Sequence, residues 1–404
     1  MSVRPTSPLR ILRVVHTLRR ESGGPSESIL RSTEALLKLG HHIEVATSDS
    51  SDTASSLPDS APFHPLGGHD VNTLGMWLQQ NHQRFDTVLV HGLWQTGWTV
   101  RQTLRHTTSP YFVFPHGMLD PWFRQAYPIK HLKKQLYWFL RERHVLRDAA
   151  AVCFTCEEER RLAQHTFIPY QARERVVAYG TAGPPAESAA QREALMVRFP
   201  ALAKRSFLLF LSRIHDKKGL NELISAYAKF TKTHPQAPAL VIAGPCHDKS
   251  YAAQLRQLAD DSHLPQLDLT SDATAESPDA KLIWLPMLGD DLKWGAFHSC
   301  DAFILPSHQE NFGIAVAEAL SCGKPVLISD KVNIWREIEG DGAGLVEPDT
   351  EAGVTELLSR WEKLDQSARA TMEVAAQNSF AQRFEITHAA ESLASTIADC
   401  LKDK

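Results

Sequence analysis

The sequence has no excess of charge of either sign and no disulfide framework. Its 404 residues carry 43 Lys and Arg against 47 Asp and Glu, which gives a formal net charge of −4. A chain that binds nucleic acid through a general positive field would show a basic surplus, so this class is excluded. Six cysteines are too few to staple so long a chain, whereas 43% hydrophobic residues can bury substantial cores.

Long hydrophobic runs are also missing. No apolar stretch approaches the roughly 20 residues that span a bilayer. Residues 1–8 lack the apolar core of a signal peptide and lead directly into a predicted strand. We therefore expect a cytoplasmic protein.

Several motifs for cofactors and metals do not occur. No G-x-G-x-x-G follows the first predicted strand, which argues against a dinucleotide-dependent dehydrogenase, and there is no Walker-type lysine loop. No Asp-x-Asp triplet is present to hold a divalent ion on a diphosphate. Cys153 and Cys156 form an isolated C-x-x-C, which favours buried thiols over a zinc or redox site. We expect neither a metal nor a bound cofactor.

The chain does contain a regular alternation of short apolar runs with longer amphipathic stretches. This pattern predicts an α/β fold, with parallel sheets covered by helices. The turn-rich residues 180–185 separate two such halves, and residues 381–401 are predicted to be helical. Strands are predicted at residues 10–15, 42–47, 86–90, 111–114, 150–154 and 175–178, and then at 207–211, 239–243, 281–284, 302–305, 325–328 and 343–346.

Residues 301–330 are the most informative segment, because they combine a strand, an acidic loop, a helix and a second strand. Glu310 lies in the loop, and Glu318 lies in the helix that Gly313 opens. The backbone N–H groups of Asn311, Phe312 and Gly313 would lie at the helix N-terminus, which favours oxyanions. Open α/β sheets bind ligands beyond the carboxyl ends of their strands, so the two glutamates can hold two ends of one extended ligand.

This segment closely resembles the signature of the family-four retaining glycosyltransferases, also known as glycosyl transferase group 1. The resemblance implies a GT-B fold, in which two Rossmann-like domains face each other across a cleft. It also implies a nucleotide diphosphate sugar as co-substrate, with Glu318 on the ribose hydroxyls and Glu310 on the donor sugar. Ile314 joins the implied donor-binding residues at the start of the helix.

A second matching segment is Leu-Ser-Arg-Ile-His-Asp-Lys-Lys-Gly, which contains Arg213 and Lys218 between a strand and a helix. In the family, these two cations clamp the donor diphosphate. An Arg fork gives paired charge-assisted hydrogen bonds and a Lys gives a movable point charge, both of which suit phosphate.

Two further segments match in the first half. Gly23 and Gly24 correspond to the family's glycine loop, where a bare backbone can approach a ligand. His116 follows a short apolar strand, and in the family a histidine at this place lies beside the donor sugar. The local sequence, Pro-His-Gly-Met-Leu, resembles that of a subset of the family associated with exopolysaccharide and cell-surface glycan assembly.

The resemblance assigns each part of the chain a task. Residues 1–183 would bind the acceptor, residues 184–380 would bind the donor, and residues 381–404 would return as a helix to the first domain. The expected enzyme moves a sugar, with retention and without metal, to a glycan or lipid-linked glycan. His116, Glu310, Arg213 and Lys218 are the predicted catalytic residues.

A basic stretch at residues 128–147 permits two interpretations. Six cations lie there among Tyr137, Trp138, Phe139 and Leu140. Basic residues beside aromatics can dock on anionic membranes, at the inner face of a cell membrane for instance. The sequence alone favours the alternative, a helix whose apolar face is buried and whose basic back is solvated.

Two other functions stay open at this stage. A GT-B-like nucleotide-sugar epimerase or a sugar phosphorylase would need an acid/base pair or a pyridoxal lysine, and no segment supplies either. A catalytically silent sugar-nucleotide-binding protein would be expected to lose a charged anchor, whereas all four segments keep theirs.

Overall fold

The computed structural model describes residues 7–19, 24–49, 57–66, 71–185, 188–203 and 205–402. The chain forms two compact units. Unit 1 comprises Met1–Thr181 together with Arg383–Lys404, and unit 2 comprises Ala182–Gln382. Each unit contains one parallel sheet covered by helices.

Unit 1 has a seven-stranded parallel sheet in the order β3-β2-β1-β4-β5-β6-β7. Its strands are β1 (Arg10–Val15), β2 (His42–Thr47), β3 (Phe63–Pro65), β4 (Thr87–His91), β5 (Tyr111–Phe114), β6 (Ala151–Phe154) and β7 (Glu174–Val176). Its helices are α1 (Gly24–Lys38), α2 (Val71–Asn81), α3 (Gly97–Leu104), α4 (Trp122–Ala126), α5 (Pro128–Tyr137), α6 (Arg143–Asp148) and α7 (Glu157–Ala163), with α16 (Ile386–Lys402) from the end of the chain.

Unit 2 has a second seven-stranded parallel sheet, in the order β10-β11-β9-β8-β12-β13-β14. Its strands are β8 (Phe207–Leu211), β9 (Ala239–Ala243), β10 (Gln266–Asp268), β11 (Leu282–Leu285), β12 (Ala302–Leu305), β13 (Val326–Ser329) and β14 (Gly344–Glu347). Its helices are α8 (Ser188–Arg198), α9 (Leu220–Thr233), α10 (Lys249–Asp261), α11 (Asp290–Ser299), α12 (Ile314–Ser321), α13 (Trp335–Asp341), α14 (Glu351–Lys363) and α15 (Gln366–Ser379).

The twelve predicted strands are confirmed, with ends that differ by one or two residues. Strands such as β9 and β12 are buried along their whole length, which explains why they read as unbroken apolar runs. The sequence analysis missed β3 and β10. Each is a three-residue strand at a sheet edge, and β3 has no fully buried residue, so neither carries a clear apolar signal.

The end of the chain packs on unit 1. The predicted helix at residues 381–401 is confirmed in two pieces, a π-helical turn at Phe380–Phe384 and helix α16 from Ile386. Between them, Glu385 forms an isolated parallel bridge with Thr181. The apolar face of α16 then joins one core cluster with β1 and α1, through Leu393 and Ile397.

The expected burial of an apolar face at residues 128–147 is wrong for α5 and holds only after it, at Trp138, Val145 and Leu146. Ile129, Leu132 and Leu136 of α5 are 75%, 72% and 64% exposed. The helix turns another side inward, because Trp138 is fully buried and its indole N–H donates to the carbonyl of Pro169 at 2.8 Å. Among the described residues, no helix combines the length and the apolarity needed to cross a membrane.

Candidate active site

The strand order of unit 2 reverses between β8 and β12, and these two strands are direct neighbours. Open parallel sheets bind ligands beyond the carboxyl ends of their strands at such a reversal. The loop after β8 carries Arg213 and Lys218, and the loop after β12 carries Glu310. Three residues singled out in separate sequence motifs therefore follow adjacent strands.

Gly219 permits the two loops to touch. Its φ is 70°, and a Cβ at this position would lie 2.0 Å from the carbonyl oxygen of Pro306. Any side chain would therefore push the loops apart. Two hydrogen bonds hold them together: the His308 N–H donates to the Lys217 carbonyl at 2.8 Å, and Lys217 Nζ donates to Gln309 Oε1 at 2.8 Å.

Lys218 and Glu310 form an ion pair at this contact. Lys218 is only 6% exposed, and the Glu310 side chain is 22% exposed. A buried cation is costly without a counter-charge, and Glu310 supplies that counter-charge to Lys218. The arrangement puts a cation and a carboxylate acceptor at one point of the sheet edge.

The backbone around Glu310 is fixed by the segment that follows β13. The Glu310 N–H donates to the Lys331 carbonyl, and the Glu310 carbonyl accepts from the Asn333 N–H, both at 3.0 Å. Phe312 is buried, and Gly313 adopts a left-handed φ of 78°. Helix α12 then begins at Ile314, so the predicted loop-to-helix transition is confirmed.

Glu318 lies within α12, as predicted, and is 8% exposed. Lys293 of α11 donates to its Oε1 at 2.7 Å. Each of the two glutamates therefore has a lysine partner from a different segment. Because one glutamate follows a strand and the other lies inside a helix, they present acceptor oxygens at separate places of unit 2.

Arg213 is exposed on the loop after β8, close to a second glycine contact. Gly244 follows β9, and a Cβ there would lie 1.8 Å from the Ser212 carbonyl oxygen. Burial lowers the pKa of His215 in the same loop; the adjacent Asp216 opposes this shift, and the charges of Lys217, Arg213 and Lys218 add to it. This positive environment suits an anion.

A depression of about 510 Å³ opens beside this loop. It is lined by residues of β11 and of the segments that follow β8, β9 and β11, among them Ile214, Pro245, Trp284 and Met287. Lys249 and Arg256 of α10 add two cations to this mainly apolar lining. Apolar side chains with a few polar groups suit a flat ring system.

His308 secures the loop after β12 to two other segments. Its Nε2 lies 3.3 Å from Glu222 of α9, and its Nδ1 lies 2.8 Å from Asp349. The hydrogen bond to Glu222, and then that to Asp349, raise the pKa of His308 to about 9 although burial opposes them. A protonated His308 therefore ties the Glu310 loop to α9 and to the loop after β14.

Unit 1 contains the predicted His116, in the loop after β5. His116 adopts a φ of 50°, which is uncommon for a residue with a side chain. The next residue, Gly117, donates its N–H to Glu159 Oε1 at 2.7 Å, and Thr155 donates to the other oxygen of this buried carboxylate at 2.7 Å. The turn is thus held by the protein and does not depend on a ligand.

His116 shares a hydrogen bond of 3.0 Å with His91, between His116 Nε2 and His91 Nδ1. Burial, and then the charge of Arg13, lower the pKa of His116 to about 4. Burial and the same cation lower the pKa of His91. Both imidazoles are therefore neutral near pH 7, and Nδ1 is the His116 ring nitrogen that His91 does not engage.

The glycine loop can be described only in part. Gly23 lies outside the described residues, and Gly24 is the first residue of α1. Within the described ranges, no group of three His, Cys, Asp or Glu side chains is arranged to hold a metal ion. Cys153 and Cys156 are buried free thiols, and Cys156 Sγ accepts the N–H of Glu159 as a helix cap.

Sequence reasoning missed four residues that shape the site: Lys293, His308, Lys217 and His91. His91 could have been found, because it ends a strand that neighbours the strand before His116. His308 and Lys217 adjoin predicted residues in the chain. Lys293 carries no sequence signal, since only the packing of α11 beside α12 brings it to Glu318.

Two family descriptions match this chain. "Glycosyl transferases group 1" matches residues 191–379, and "Glycosyl transferase 4-like domain" matches residues 23–180. The two matches span most of both units. The chain belongs to this glycosyltransferase family.

The curated relatives match it over part of their length. The D-inositol 3-phosphate glycosyltransferase of Acidothermus cellulolyticus is 26% identical over 206 residues, which are 49% of this chain and 42% of the relative. An uncharacterised glycosyltransferase of Methanocaldococcus jannaschii is 28% identical over 159 residues, 38% of this chain and 36% of the relative. The chain thus spans less than half of either relative.

Solved structures match it over its whole length. HepE of Anabaena, solved in complex with UDP, has a TM-score of 0.75 at 16% identity and covers 97% of this chain and 100% of its own. Sucrose-phosphate synthase of Thermosynechococcus elongatus has a TM-score of 0.72 at 17% identity, with 98% of this chain and 100% of its own covered. These similarities show the GT-B fold.

Proposed function

We propose that this protein is a retaining glycosyltransferase that takes a sugar from a nucleotide diphosphate sugar. The observation that supports this most is the contact between Lys218 and Glu310 at the point where the strand order of unit 2 reverses. One cation for phosphate and one carboxylate for hydroxyl groups stand side by side there. Glu318 supplies a second carboxylate in the helix that follows.

The donor diphosphate would bind between the loop after β8 and the start of α12. Lys218 would exchange part of its contact with Glu310 for a phosphate oxygen, and the exposed Arg213 would supply a paired set of donors. The backbone around Asn311 to Ile314, at the start of the helix, favours oxyanions. Together these groups stabilise the charge that develops on the leaving diphosphate.

The two glutamates would bind the two sugar rings of the donor. Glu310, beside Lys218, would accept hydrogen bonds from the transferred sugar, and Glu318 would accept them from the ribose. The nucleobase would enter the depression lined by Ile214, Trp284 and Met287. Ile214 follows Arg213 directly in the chain. The proposed binding groups thus correspond to the successive parts of a nucleotide sugar: the transferred sugar, the diphosphate, the ribose and the base.

In unit 1, His116 would act as a neutral hydrogen-bond partner of the donor sugar. Its lowered pKa keeps it from acting as an acid near pH 7, so its contribution is orientation and electrostatic stabilisation. His91 holds the His116 ring by a hydrogen bond to His116 Nε2 and leaves His116 Nδ1 available. Gly23 and Gly24 would complete the approach to the donor phosphates.

The reaction would proceed by attack from the face on which the diphosphate departs. The bond between the anomeric carbon and the phosphate oxygen breaks, and a bond to the acceptor oxygen forms. The proton of the acceptor hydroxyl passes to the departing phosphate oxygen, so no protein base is required. We further propose that the acceptor is a glycan or lipid-linked glycan in polysaccharide or cell-surface glycan synthesis. This proposal is based on the resemblance of the Pro-His-Gly-Met-Leu segment at His116.

The experiment that tests this function is a panel of nucleotide sugars added to the purified protein. One class of donor should raise the melting temperature and should be hydrolysed slowly or transferred to a simple acceptor, with the product's anomeric configuration retained. UDP and UDP-sugars come first in the panel, because HepE was solved with UDP. Stabilisation by no nucleotide sugar and by no nucleoside diphosphate would contradict the proposal.

A further inference from the structure

The outward face of α5 and of the π-helical turn that follows it, Trp138–Glu142, is apolar and exposed. We call this surface the docking face and define it by five side chains. Large apolar side chains rarely cluster on the surface of a monomer unless a partner covers them. The members are Ile129 (75% exposed), Leu132 (72%), Leu136 (64%), Phe139 (50%) and Leu140 (59%).

The spacing of these residues places them on one side of the helix. Steps of three and four residues lead from Ile129 through Leu132 and Leu136 to Leu140, and Phe139 adjoins Leu140. On a helix such residues fall within an arc of roughly 100°. Trp138 points the opposite way and stacks on Phe167, with ring centroids 5.1 Å apart. Because Trp138 fixes the rotation of the helix on unit 1, the docking face cannot turn inward to bury itself.

The docking face is surrounded by positive charge. Between residues 124 and 147 the only acidic residue is Glu142, and Glu142 is buried and accepts the N–H of Trp94 at 3.1 Å. Its carboxylate is turned inward, and the next acidic residue, Asp148, pairs with Arg101 and Arg147. The cations of the segment are Arg124, Lys130, Lys133, Lys134, Arg141, Arg143 and Arg147.

We propose that the docking face binds the surface of an anionic lipid bilayer. Apolar side chains with a rim of Lys and Arg are the composition of helices that lie in the plane of a membrane interface. The long lysine stems can carry their ammonium groups to the phosphates while Leu132 and Leu136 enter the acyl boundary. A second copy of this chain is disfavoured as the occupant, because two such faces would bring like charges together.

This inference does not depend on the proposed reaction, but it gives the reaction a location. Helices α4 and α5 follow the loop of His116 directly in the chain. A bilayer on the docking face would therefore lie near the segment that begins with this histidine. A lipid-linked acceptor would reach such an enzyme by diffusion within the membrane.

The test is co-sedimentation of the full chain with vesicles of 70% phosphatidylcholine and 30% phosphatidylglycerol, compared with vesicles of phosphatidylcholine alone. The protein should bind the anionic vesicles and should be released by about 0.5 M salt, which screens surface charges. A double variant, K130Q/K133Q, should bind on the order of 30-fold more weakly, since each lysine near an anionic membrane contributes about fivefold.

A second double variant, L132Q/L136Q, should lose at least about tenfold of the binding, because its side chains no longer enter the apolar boundary. These positions are exposed, so the variant should fold normally. The matched control is V197Q/V374Q, which removes two apolar side chains of similar exposure, 74% and 59%, elsewhere on the surface. The control should bind like the unchanged protein.

Three outcomes would overturn the proposal. Equal binding to both kinds of vesicle, or none to either, would remove the role of anionic lipid. Equal binding by L132Q/L136Q and by its control would remove the docking face. A dimer in light scattering that L132Q/L136Q dissociates would show that a second copy covers this face instead.

Discussion

At the scale of single residues, Lys218 is the cation that we propose binds the donor diphosphate. It is almost fully buried and has Glu310 as its ion-pair partner. In Lys218→Ala the diphosphate would lose a charged hydrogen bond and would meet the uncompensated carboxylate of Glu310. We expect the affinity for nucleoside diphosphate to fall by about 1.5–3 kcal/mol, measured by titration calorimetry.

The matched control for that variant is Lys229→Ala. Lys229 lies on α9, is largely exposed and pairs with Glu351 at the surface. Its loss should leave the diphosphate affinity within about 0.5 kcal/mol of the unchanged protein, as for most surface pairs. Equal affinities for Lys218→Ala and the unchanged protein would refute the diphosphate assignment.

His308 gives a pH dependence at the same scale. Its pKa is raised to about 9 by Glu222 and Asp349, so the folded protein holds its proton more tightly than the unfolded chain does. The resulting stabilisation is complete below pH 6.5 and is lost as the pH rises through 9. Allowing for solvent screening, we expect it to be roughly 1–2 kcal/mol.

The measurement is denaturant unfolding of the unchanged protein and of His308→Gln, at intervals from pH 6 to pH 10. The unchanged protein should be the more stable at pH 6, and the difference should shrink toward pH 10. A difference that stays constant, or that grows with pH, would show that His308 is not held protonated by its two carboxylates.

At the scale of elements, the loop after β12 and helix α12 present different parts of one site. Glu318 is fixed within the helix and pairs with Lys293, whereas Glu310 lies in the loop and pairs with Lys218. Removing the charge of Glu310 frees Lys218 for phosphate. Under the proposed assignment, removing the charge of Glu318 takes away the acceptor for the ribose.

We therefore expect opposite results from two isosteric changes. Glu318→Gln should weaken the binding of bare nucleoside diphosphate, by about 1–2 kcal/mol for one charged hydrogen bond. Glu310→Gln should preserve or strengthen that binding and should abolish most sugar transfer. Calorimetry with the diphosphate and a transfer assay with the full donor separate the two, and equal losses of diphosphate affinity would contradict the assignment.

At the scale of the whole molecule, cations and helix amides are available to meet the charge of the proposed leaving group. Arg213 and Lys218 follow one strand of unit 2, and the start of α12 follows the next. Mg²⁺ and Mn²⁺ usually bind such substrates through carboxylates and phosphates together. In this chain the carboxylates Glu310 and Glu318 each face a lysine instead.

We expect transfer activity to persist in excess chelator. The assay needs the correct donor and acceptor, with and without EDTA, and the rates should agree within about twofold. Loss of activity in EDTA that Mn²⁺ restores would assign the leaving-group charge to a metal. Asp290 and Asp291 in the first turn of α11 would then be the first candidate ligands to replace.

The sequence by itself determined the α/β class, twelve of the fourteen strands described and the placement of Glu310 in a loop and Glu318 in a helix. These features are local, because apolar runs, glycines and loop composition act over a few residues. The short edge strands β3 and β10 were not predicted because few of their side chains are buried, whereas the equally short β7 adjoins the buried Val177, which extends its apolar run.

Only the tertiary structure decided which groups meet. The pairs Lys218–Glu310 and Lys293–Glu318 join residues that are 92 and 25 positions apart. The rotation of α5 about its axis was also decided by the tertiary structure. Apolar spacing defines a face of the helix but not whether that face contacts the protein core or the solvent. Burial of Trp138 set the rotation of that helix and left Leu132 and Leu136 facing outward. Side-chain partners and helix rotation depend on packing between distant segments, which periodicity along the chain does not encode.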